Sequence, residues 1–230
     1  MIRGIYTTHM TIRTILRAAV LSLAVALPAR AQIGSPIDPG LGYVGPFGTA
    51  VSGGIPRLAQ TFQPAPGADW LQSFTFFLGD FNPDASGTGL LFRAAVYAVN
   101  GAQLGSQLFL SGPQSGSANF TSFDAYTFAT SNLFLDPLGT FALVLESVSS
   151  QDQALNAVAA GASDYDGGAF YIVNDNGAFS PAIDGRSDAA FNATLTASVV
   201  PEPASVVLLA SGFLFVGIVA YRRRGVHAIS

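Results

Sequence analysis

Two short segments concentrate oxygen-bearing side chains of the kind that bind a hard metal ion. The candidate ligands are Asp164, Asp166, Asn174, Asp175 and Asn176. Calcium takes roughly six to eight oxygen ligands from carboxylates, amides and carbonyls, so these residues are candidates for a calcium site. Gly168 stands where a complete calcium-binding loop would need a further acid or amide. Asp-Gly and Asn-Gly pairs also favour tight turns, so turn formation competes with metal binding in both segments.

Aromatic side chains beside polar ones could form a platform for a sugar ring. The two best placed are Trp70, which follows Asp69 at the start of a predicted strand, and Tyr165, which lies in an acidic, glycine-rich loop. Aromatic residues at alternate strand positions pack first of all in a core, so packing at the core or rim is the competing interpretation of Trp70. We expect Tyr165 to make a surface contact.

Catalytic chemistry has little support between positions 32 and 200. Cysteine is absent from the chain, and the two histidines, His9 and His227, lie near its ends. Thiol nucleophiles, imidazole bases and Ser-His-Asp mechanisms are therefore excluded for this region. A glycosidase needs two carboxylates flanking a cleft. The only glutamate of the region, Glu146, lies in an apolar strand, where a lone acid is typical of an edge or exposed position. The oxygen-rich residues 79–84 favour a turn, and we predict no enzyme activity.

The same region is strongly acidic. Of the fourteen acidic residues in the chain, only Glu202 lies outside it. Of the ten basic residues, all arginines, only Arg57, Arg93 and Arg186 lie inside it, so its net charge is near −10. A surface of this charge repels phosphate backbones, which excludes nucleic acid as a partner.

The candidate sites must be positioned by β-strands. Apolar residues alternate with other residues along 70–78, 91–99 and 191–197, and turn-forming residues separate these runs. Alternation places every second side chain on the same face of a strand, which predicts sheets with one buried face. Asn100-Gly101 predicts a tight hairpin turn between two of the strands.

This pattern predicts an all-β fold. Roughly eight to ten strands without amphipathic crossover helices favour an antiparallel β-sandwich, jelly-roll-like in its connectivity, over residues 56–199. Residues 32–55 are rich in glycine and proline, show no periodic apolar pattern, and are interpreted as an irregular lead-in. Residues 151–160 alone have helix-like content, which their asparagine and valine weaken.

The N-terminal segment has the parts of a secretory signal peptide. A basic stretch comes first, residues 18–27 then form an apolar run too short to span a membrane, and residues 28–31 supply small residues in an A-x-A-like pattern. This order is the signature of a cleaved export signal. We predict a signal peptide over residues 1–31, cut after Ala31, with Met10 as an alternative start.

The C-terminal end combines a proline motif, an apolar stretch and an arginine cluster. The motif is Val200, Pro201, Glu202 and Pro203, and the cluster is Arg222, Arg223 and Arg224. As a helix, residues 204–221 would be about 27 Å long, close to the roughly 30 Å of a bilayer core. The positive-inside rule predicts that the arginines and residues 225–230 are cytoplasmic and the acidic region is outside.

The order of motif, apolar span and arginines over residues 200–224 resembles the PEP-CTERM sorting signal of bacterial exported proteins. The resemblance implies recognition and cleavage by an exosortase, a membrane-embedded cysteine protease, as the protein reaches the cell surface or extracellular matrix. It also implies the Sec export machinery as a partner and the inner membrane as a transient anchor. The segments AQTF, FRAAVYAV and GGAFYIVN resemble strands of the β-sandwich ectodomains of such proteins.

We therefore expect an exported, non-catalytic β-sandwich protein of the cell surface or of the exopolysaccharide matrix of a biofilm. The alternative is a carbohydrate-binding, lectin-like module of the same fold, with or without structural calcium. A carboxylate-based hydrolase is the third hypothesis.

Overall fold

The structure, a computed structural model, describes residues 30–38, 42–48, 55–81, 89–150, 154–162, 165–181, 188–197 and 211–213. The chain divides into two units, residues 1–197 and residues 198–230. The first unit contains every strand described below.

Thirteen strands occupy the described part of the first unit. They are β1 (Arg30–Ser35), β2 (Tyr43–Phe47), β3 (Arg57–Phe62), β4 (Trp70–Asp80), β5 (Leu90–Val99), β6 (Leu104–Leu110), β7 (Gln114–Ser115), β8 (Asp124–Phe134), β9 (Phe141–Ser150), β10 (Asn156–Ala159), β11 (Phe170–Val173), β12 (Phe179–Pro181) and β13 (Phe191–Thr196). All of their pairings within sheets are antiparallel. The all-β, antiparallel part of the prediction is confirmed.

The strands form two sheets. The first sheet has six strands in the order β1-β13-β4-β10-β2, with β8 also paired to β4. β13 and β10 share the edge of β4 opposite β8, because they pair with different residues of β4. The second sheet has seven strands in the order β12-β11-β3-β9-β5-β6, with β7 also paired to β5. β4 and β13 of the first sheet and β5 of the second come from residues whose alternation predicted them.

The main core lies between the two sheets, as in a β-sandwich. On β4, Phe74, Phe76 and Leu78 are at most 1% exposed, whereas the residues between them face the other way because side chains alternate along a strand. These side chains share one apolar cluster with buried residues of the second sheet, such as Phe92 and Leu143. Burial of this cluster supplies stability that a chain without disulfide bonds must obtain from its core.

The second sheet curls until its two ends meet. A bridge joins Gln103, beside β6, to Ala178, in the β11–β12 hairpin, and the Leu104 N–H donates to the Gly177 carbonyl at 2.9 Å. The curled face encloses a second, smaller apolar cluster made of Ala59, Ala95, Ala142, Val144 and Val173. Small side chains suit this face because a strongly curved sheet leaves little space on its concave side.

The lead-in is where the fold differs from our expectation. Residues 32–55 were expected to be irregular, yet they contain most of β1 and all of β2. β1 pairs with β13 and β2 pairs with β10, both far along the chain, so no local pattern marks them. β1 begins at Arg30, so it includes the last two residues of the predicted signal peptide.

The predicted sorting signal falls mostly outside the described residues. Of its apolar stretch only residues 211–213 are described, and they are helical. Among the described residues, no helix is both long and apolar enough to cross a membrane. The motif at 200–203 and the arginines at 222–224 lie outside the described residues, so the membrane helix stays a prediction.

Candidate functional site

A cavity of about 610 Å³ opens on the outer face of the first sheet, at the end of β4. Its floor includes Gly79 and Ala157, which are cross-strand partners on β4 and β10. Both point away from the main core because their neighbours Leu78 and Val158 point into it. Two small residues side by side leave a hollow in the sheet surface, and aromatic side chains surround it.

One wall of the cavity is an aromatic pair from β2 and the end of β4. The rings of Tyr43 and Phe81 meet edge to face, with centroids 5.2 Å apart. Tyr43 remains 49% exposed in spite of this contact. The pairing fixes the orientation of both rings, since edge-to-face contacts are a preferred geometry of aromatic pairs.

The opposite wall is the loop that precedes β8. Phe120, Thr121, Ser122 and Phe123 line the cavity, and Phe120 is 58% exposed. The Asn119 side-chain oxygen accepts hydrogen bonds from the backbone N–H groups of Thr121 and Ser122, at 3.3 and 3.2 Å. An asparagine that bonds to its own following backbone holds a loop in one conformation. The exposed ring of Phe120 is therefore presented by an ordered loop.

Gly79 allows this loop to approach β4. A Cβ atom on Gly79 would lie 3.1 Å from the Ser122 carbonyl oxygen and 3.2 Å from the Phe123 ring. The Asp80 N–H donates to the Asn119 carbonyl at 2.8 Å, which ties the loop to the end of β4. The composition of residues 79–84 predicts a turn, but β4 extends to Asp80, and Gly79, Asp80 and Phe81 line the cavity.

Beyond the cavity, the outer face of the first sheet carries hydroxyl and amide groups. The uncharged polar side chains that point outward are Gln32, Gln72, Ser73, Thr75, Thr127, Asn192, Thr194 and Thr196, and Arg30 and Phe77 also point outward at the margins of this set. Thr75 and Thr127 share a hydrogen bond of 2.8 Å across neighbouring strands, and the Gln72 amide donates to Thr196 at 2.8 Å. We call this set the hydroxyl face. Its members are uncharged, in contrast to the acidic composition of the chain around it.

Trp70 lies at the far end of the hydroxyl face. It pairs across the strands with Phe134, and the two rings are 5.3 Å apart at an interplanar angle of 60°. Trp70 is half-buried whereas Phe134 is 52% exposed. Ser131 and Asn132 have positive φ angles of 55° and 62°, and they form the bulge that brings Phe134 opposite Trp70. Such bulges re-aim side chains, often beside functional sites.

Tyr165 differs from the surface contact that we expected. Its ring packs against Phe191 of the main core, with centroids 5.4 Å apart. Its hydroxyl donates to the Gln63 carbonyl at 3.2 Å, and its N–H donates to the buried Asp188 carboxylate. Burial raises the pKa of Tyr165, which is the direction expected for a phenol removed from water. This residue closes one end of the core and offers little surface to a ligand.

The second calcium segment forms the β11–β12 hairpin turn. The Gly177 N–H donates to the Asn174 carbonyl at 2.8 Å, and the Ala178 N–H donates to the Asn176 side-chain oxygen at 3.1 Å. Gly177 has a φ of 84°, which glycine adopts without strain. Asp175 is exposed in this turn. The contacts of these residues are those of turn chemistry.

The first calcium segment is also built around a turn. The Gly168 N–H donates to the Tyr165 carbonyl, and a Cβ on Gly168 would overlap the Thr61 carbonyl of β3. Gly168 is therefore required for close packing. Asp166 is exposed, and Asp164 lies outside the described residues. Within the part of the chain that the structure describes, no three acidic or histidine side chains come together as a metal site.

Glu146 is buried, so our expectation of an edge or exposed residue was wrong. Its side chain is 8% exposed and binds two arginines, with Arg57 Nη2 at 3.2 Å and Arg93 Nε at 2.9 Å from its oxygens. The Tyr97 hydroxyl donates to the same carboxylate at 3.0 Å. Burial and this hydrogen bond to Glu146 raise the pKa of Tyr97. We call these four residues the ion cluster. These contacts engage a carboxylate that a hydrolase would need to be available for catalysis.

Sequence reasoning missed the cavity and the ion cluster. The cavity joins residues from β2, β4, β10 and the loop before β8, which are separated by tens of positions. One signal was available, since Gly79-Asp80-Phe81 combines a small residue, an acid and an aromatic residue. The ion cluster also had a signal in the sequence. A carboxylate in an apolar strand needs a cationic partner if it is buried, and the region has only three arginines that could be that partner.

Comparison with known proteins adds little to this description. No family model matches the chain, and no curated protein matches it. One solved structure that it resembles is the structure of infectious bursal disease virus Gx strain, with a TM-score of 0.31 and 12% sequence identity. The match covers 84% of this chain and 49% of the viral chain, so the chain spans about half of that protein's length. A likeness this weak carries no argument about fold or function.

Proposed function

We propose that this protein is an exported, non-catalytic β-sandwich protein of the cell surface or exopolysaccharide matrix, sorted through a C-terminal PEP-CTERM tag. The observation that carries this proposal is the sequence order of Val200-Pro201-Glu202-Pro203, an apolar span, and Arg222 to Arg224. The apolar span has the length of a membrane helix, and the arginines would keep that end in the cytoplasm. The proposed processing partners are the exosortase and the Sec machinery.

The first unit supports a structural or adhesive role over catalysis. Glu146, the only glutamate outside the tail motif, is held by two arginines and a tyrosine. A carboxylate held in this way is a poor general acid or nucleophile, because any proton transfer would break charge-assisted hydrogen bonds. The jelly-roll-like description is part of the same proposal. It is supported by the successive strands β3, β4 and β5, which alternate between the two sheets.

The intact mass of the protein recovered from the surface and medium of its native host tests this proposal. A species that starts at Gln32 and ends between Pro201 and Ser205 is the expected product of signal-peptide and tag cleavage. A species that retains Arg222 to Arg224 would replace the sorting proposal with a simple membrane-anchored ectodomain. A species that retains the N-terminal residues would contradict export by the predicted signal peptide.

Carbohydrate binding is the second candidate function. The observation that favours it is the pair of Trp70 and the exposed Phe134 beside the hydroxyl face. Aromatic rings next to hydroxyl and amide groups can pack on the apolar side of a sugar while they hydrogen-bond its hydroxyls. A glycan array tests it, with the Trp70→Ala variant expected to lose binding. Leu110→Ala, on an exposed leucine of the second sheet, is the matched control and should bind normally.

A further inference from the structure

We propose that the cavity at the end of β4 binds a sugar ring of a neutral polysaccharide whose chain continues along the hydroxyl face toward Trp70. This inference rests on carbohydrate binding, the second candidate function, and it adds a site and a ligand class. The site contains Tyr43, Phe81 and Phe120 as its aromatic walls.

The size of the cavity suits a small organic ligand. Its volume of about 610 Å³ lies within the range of about 300–1,000 Å³ that is typical of ligand pockets. The loop of residues 119–123 lies over Gly79, so a sugar ring would enter between the exposed rings of Tyr43 and Phe120 rather than reach the backbone of the sheet. The cavity is open to solvent on the side of Tyr43 and Phe120, as their exposed fractions of 49% and 58% show.

The chemistry of the lining fits a polyhydroxylated ring. Phe120, Tyr43 and Phe81 offer apolar ring surfaces for the C–H groups of a pyranose. Thr121 and Ser122 bring hydroxyls to the lining. The Thr121 hydroxyl donates to the Asn119 side-chain oxygen and the Ser122 hydroxyl accepts from the Asn119 amide, so the first can still accept a hydrogen bond from a sugar and the second can still donate one. Asp80 also lines the cavity, but it is only 9% exposed and lies on the same side of β4 as Leu78, so the rings and the hydroxyl groups supply the contacts with the sugar.

The site is pre-organised rather than formed by the ligand. Asn119 fixes the loop that carries Phe120, Gly79 allows the loop to lie close to β4, and the Tyr43–Phe81 contact fixes the other wall. A pre-organised site binds more tightly because binding does not have to supply the free energy of ordering its loops.

The charge of the site selects a neutral ligand. Asp80 is the only charged residue among the described residues that line the cavity. It lies in a region whose net charge is near −10. A polymer of uronic acids or sulfated sugars would be repelled by Asp80 at short range and by the net charge of the region at long range. A neutral glycan would experience neither repulsion.

The position of the cavity makes an extended chain the natural ligand. The outward residues of β4 run from Gly79 through Phe77, Thr75 and Ser73 to Trp70. This distance is about 30 Å at about 3.3 Å per residue, which is the length of several linked sugars. Aromatic rings stand at both ends of this path and hydroxyl groups stand between them, so one face offers contacts to consecutive sugars.

The test is a binding assay of the full chain in detergent on immobilised neutral α-glucan, β-glucan, mannan and galactan, with polygalacturonate as the anionic comparison. We expect binding to at least one neutral polymer, and weaker or undetectable binding to polygalacturonate. Phe120→Ala should weaken binding about tenfold, and Phe120→Tyr should restore most of it. Phe120 is exposed, so its substitution leaves the core intact, and Leu110→Ala is again the control.

The outcomes separate the two proposals. Loss of binding with Trp70→Ala and normal binding with Phe120→Ala would overturn the cavity site and leave carbohydrate binding in place. No binding to any neutral polymer would overturn both. Stronger binding to polygalacturonate would overturn the neutral ligand class. A concentration-dependent dimer by sedimentation that Phe120→Ala abolishes would make the cavity a contact between copies of the chain and overturn the site.

Discussion

The outer faces of the two sheets are opposites. The outer face of the first sheet carries hydroxyl groups between Trp70 at one end and the cavity at the other. The corresponding face of the second sheet is curled, lined by alanine, and covered where the β11–β12 hairpin meets residues 102–104. The first face leaves many of its side chains exposed, whereas the second packs its small side chains into an apolar cluster.

Charge is divided in the same way. Two of the three arginines between positions 32 and 200, Arg57 and Arg93, are committed to the ion cluster on the second sheet. The hydroxyl face of the first sheet carries none of the acids that dominate the region. The long-range field of an acidic protein repels anionic ligands but not neutral ones, so an outer face without acidic side chains is consistent with the proposed binding of a neutral ligand by the first sheet.

The largest effect that distinguishes the faces should come from Glu146→Ala. Removing this carboxylate leaves Arg57 and Arg93 without their partner, and loss of one member of a buried ion pair costs about 3–5 kcal/mol. We expect about 3 kcal/mol, at the low end, because both guanidinium groups reach solvent. Urea denaturation measures it. Asp175→Asn removes an acid from the exposed turn and should cost less than about 0.5 kcal/mol.

Two alanine substitutions compare the faces directly. Ala95→Leu adds bulk to the curled face of the second sheet, where Ala95 is fully buried, and should destabilise the protein by about 1–3 kcal/mol. Ala129→Leu adds the same atoms to the open face of the first sheet, where Ala129 is exposed, and should change stability by less than about 0.5 kcal/mol. Thermal unfolding of both variants measures these changes. Equal losses of stability in the two variants would contradict the difference in packing between the two outer faces.

The effect of Tyr97→Phe on folding stability should depend on pH, because Tyr97 belongs to the ion cluster. The folded-state pKa of Tyr97 is raised above its ordinary value of 10.0. The contribution of Tyr97 to folding stability is therefore complete below about pH 10 and is lost as pH rises through the folded-state pKa. At neutral pH the variant loses a hydrogen bond to a carboxylate, worth about 1.5–3 kcal/mol. We expect the stability difference between the wild type and the variant to narrow above pH 10. A difference that stays constant up to pH 12 would contradict this assignment.

Calcium should have the smallest effect. The turn at residues 174–177 satisfies its own backbone groups, so we expect the melting temperature to be the same in EDTA and in millimolar calcium. A ligand that binds only the folded state raises stability with its concentration. A melting temperature that increases with calcium would therefore revive the calcium site, and Asp175→Asn would then test whether this turn supplies a ligand.

The sequence predicted the strands with the strongest alternation and the direction of their side chains. β4, β5 and β13 lie where the apolar periodicity placed them, and their apolar residues line the core. The hairpin at Asn100 and Gly101 is present, with Gly101 at a φ of 64° and a hydrogen bond from the Asn100 N–H to the Gln103 carbonyl. These features were predictable because they depend on neighbours within a few residues.

β1, β2 and β10 could not be predicted in this way. Each is short, and two of them contain glycine in their few residues. They are strands because β13, β4 and each other offer hydrogen-bonding edges in the right place. Strand propensity is decided by such context more than by the residues themselves, so residues 32–55 carry no local pattern that predicts β1 and β2.

The candidate site divides along the same line. Trp70 was identified from its type and position, whereas Tyr43, Phe120 and Ala157 belong to the cavity only because three separate segments meet there. The sequence alone determined the acidic composition, the absence of cysteine, the predicted export and sorting segments, and the alternating strands. Only the tertiary structure decided which carboxylate meets which arginine and where a hollow forms. Those contacts follow from strand register and sheet curvature, which are set by pairing between residues far apart in the chain.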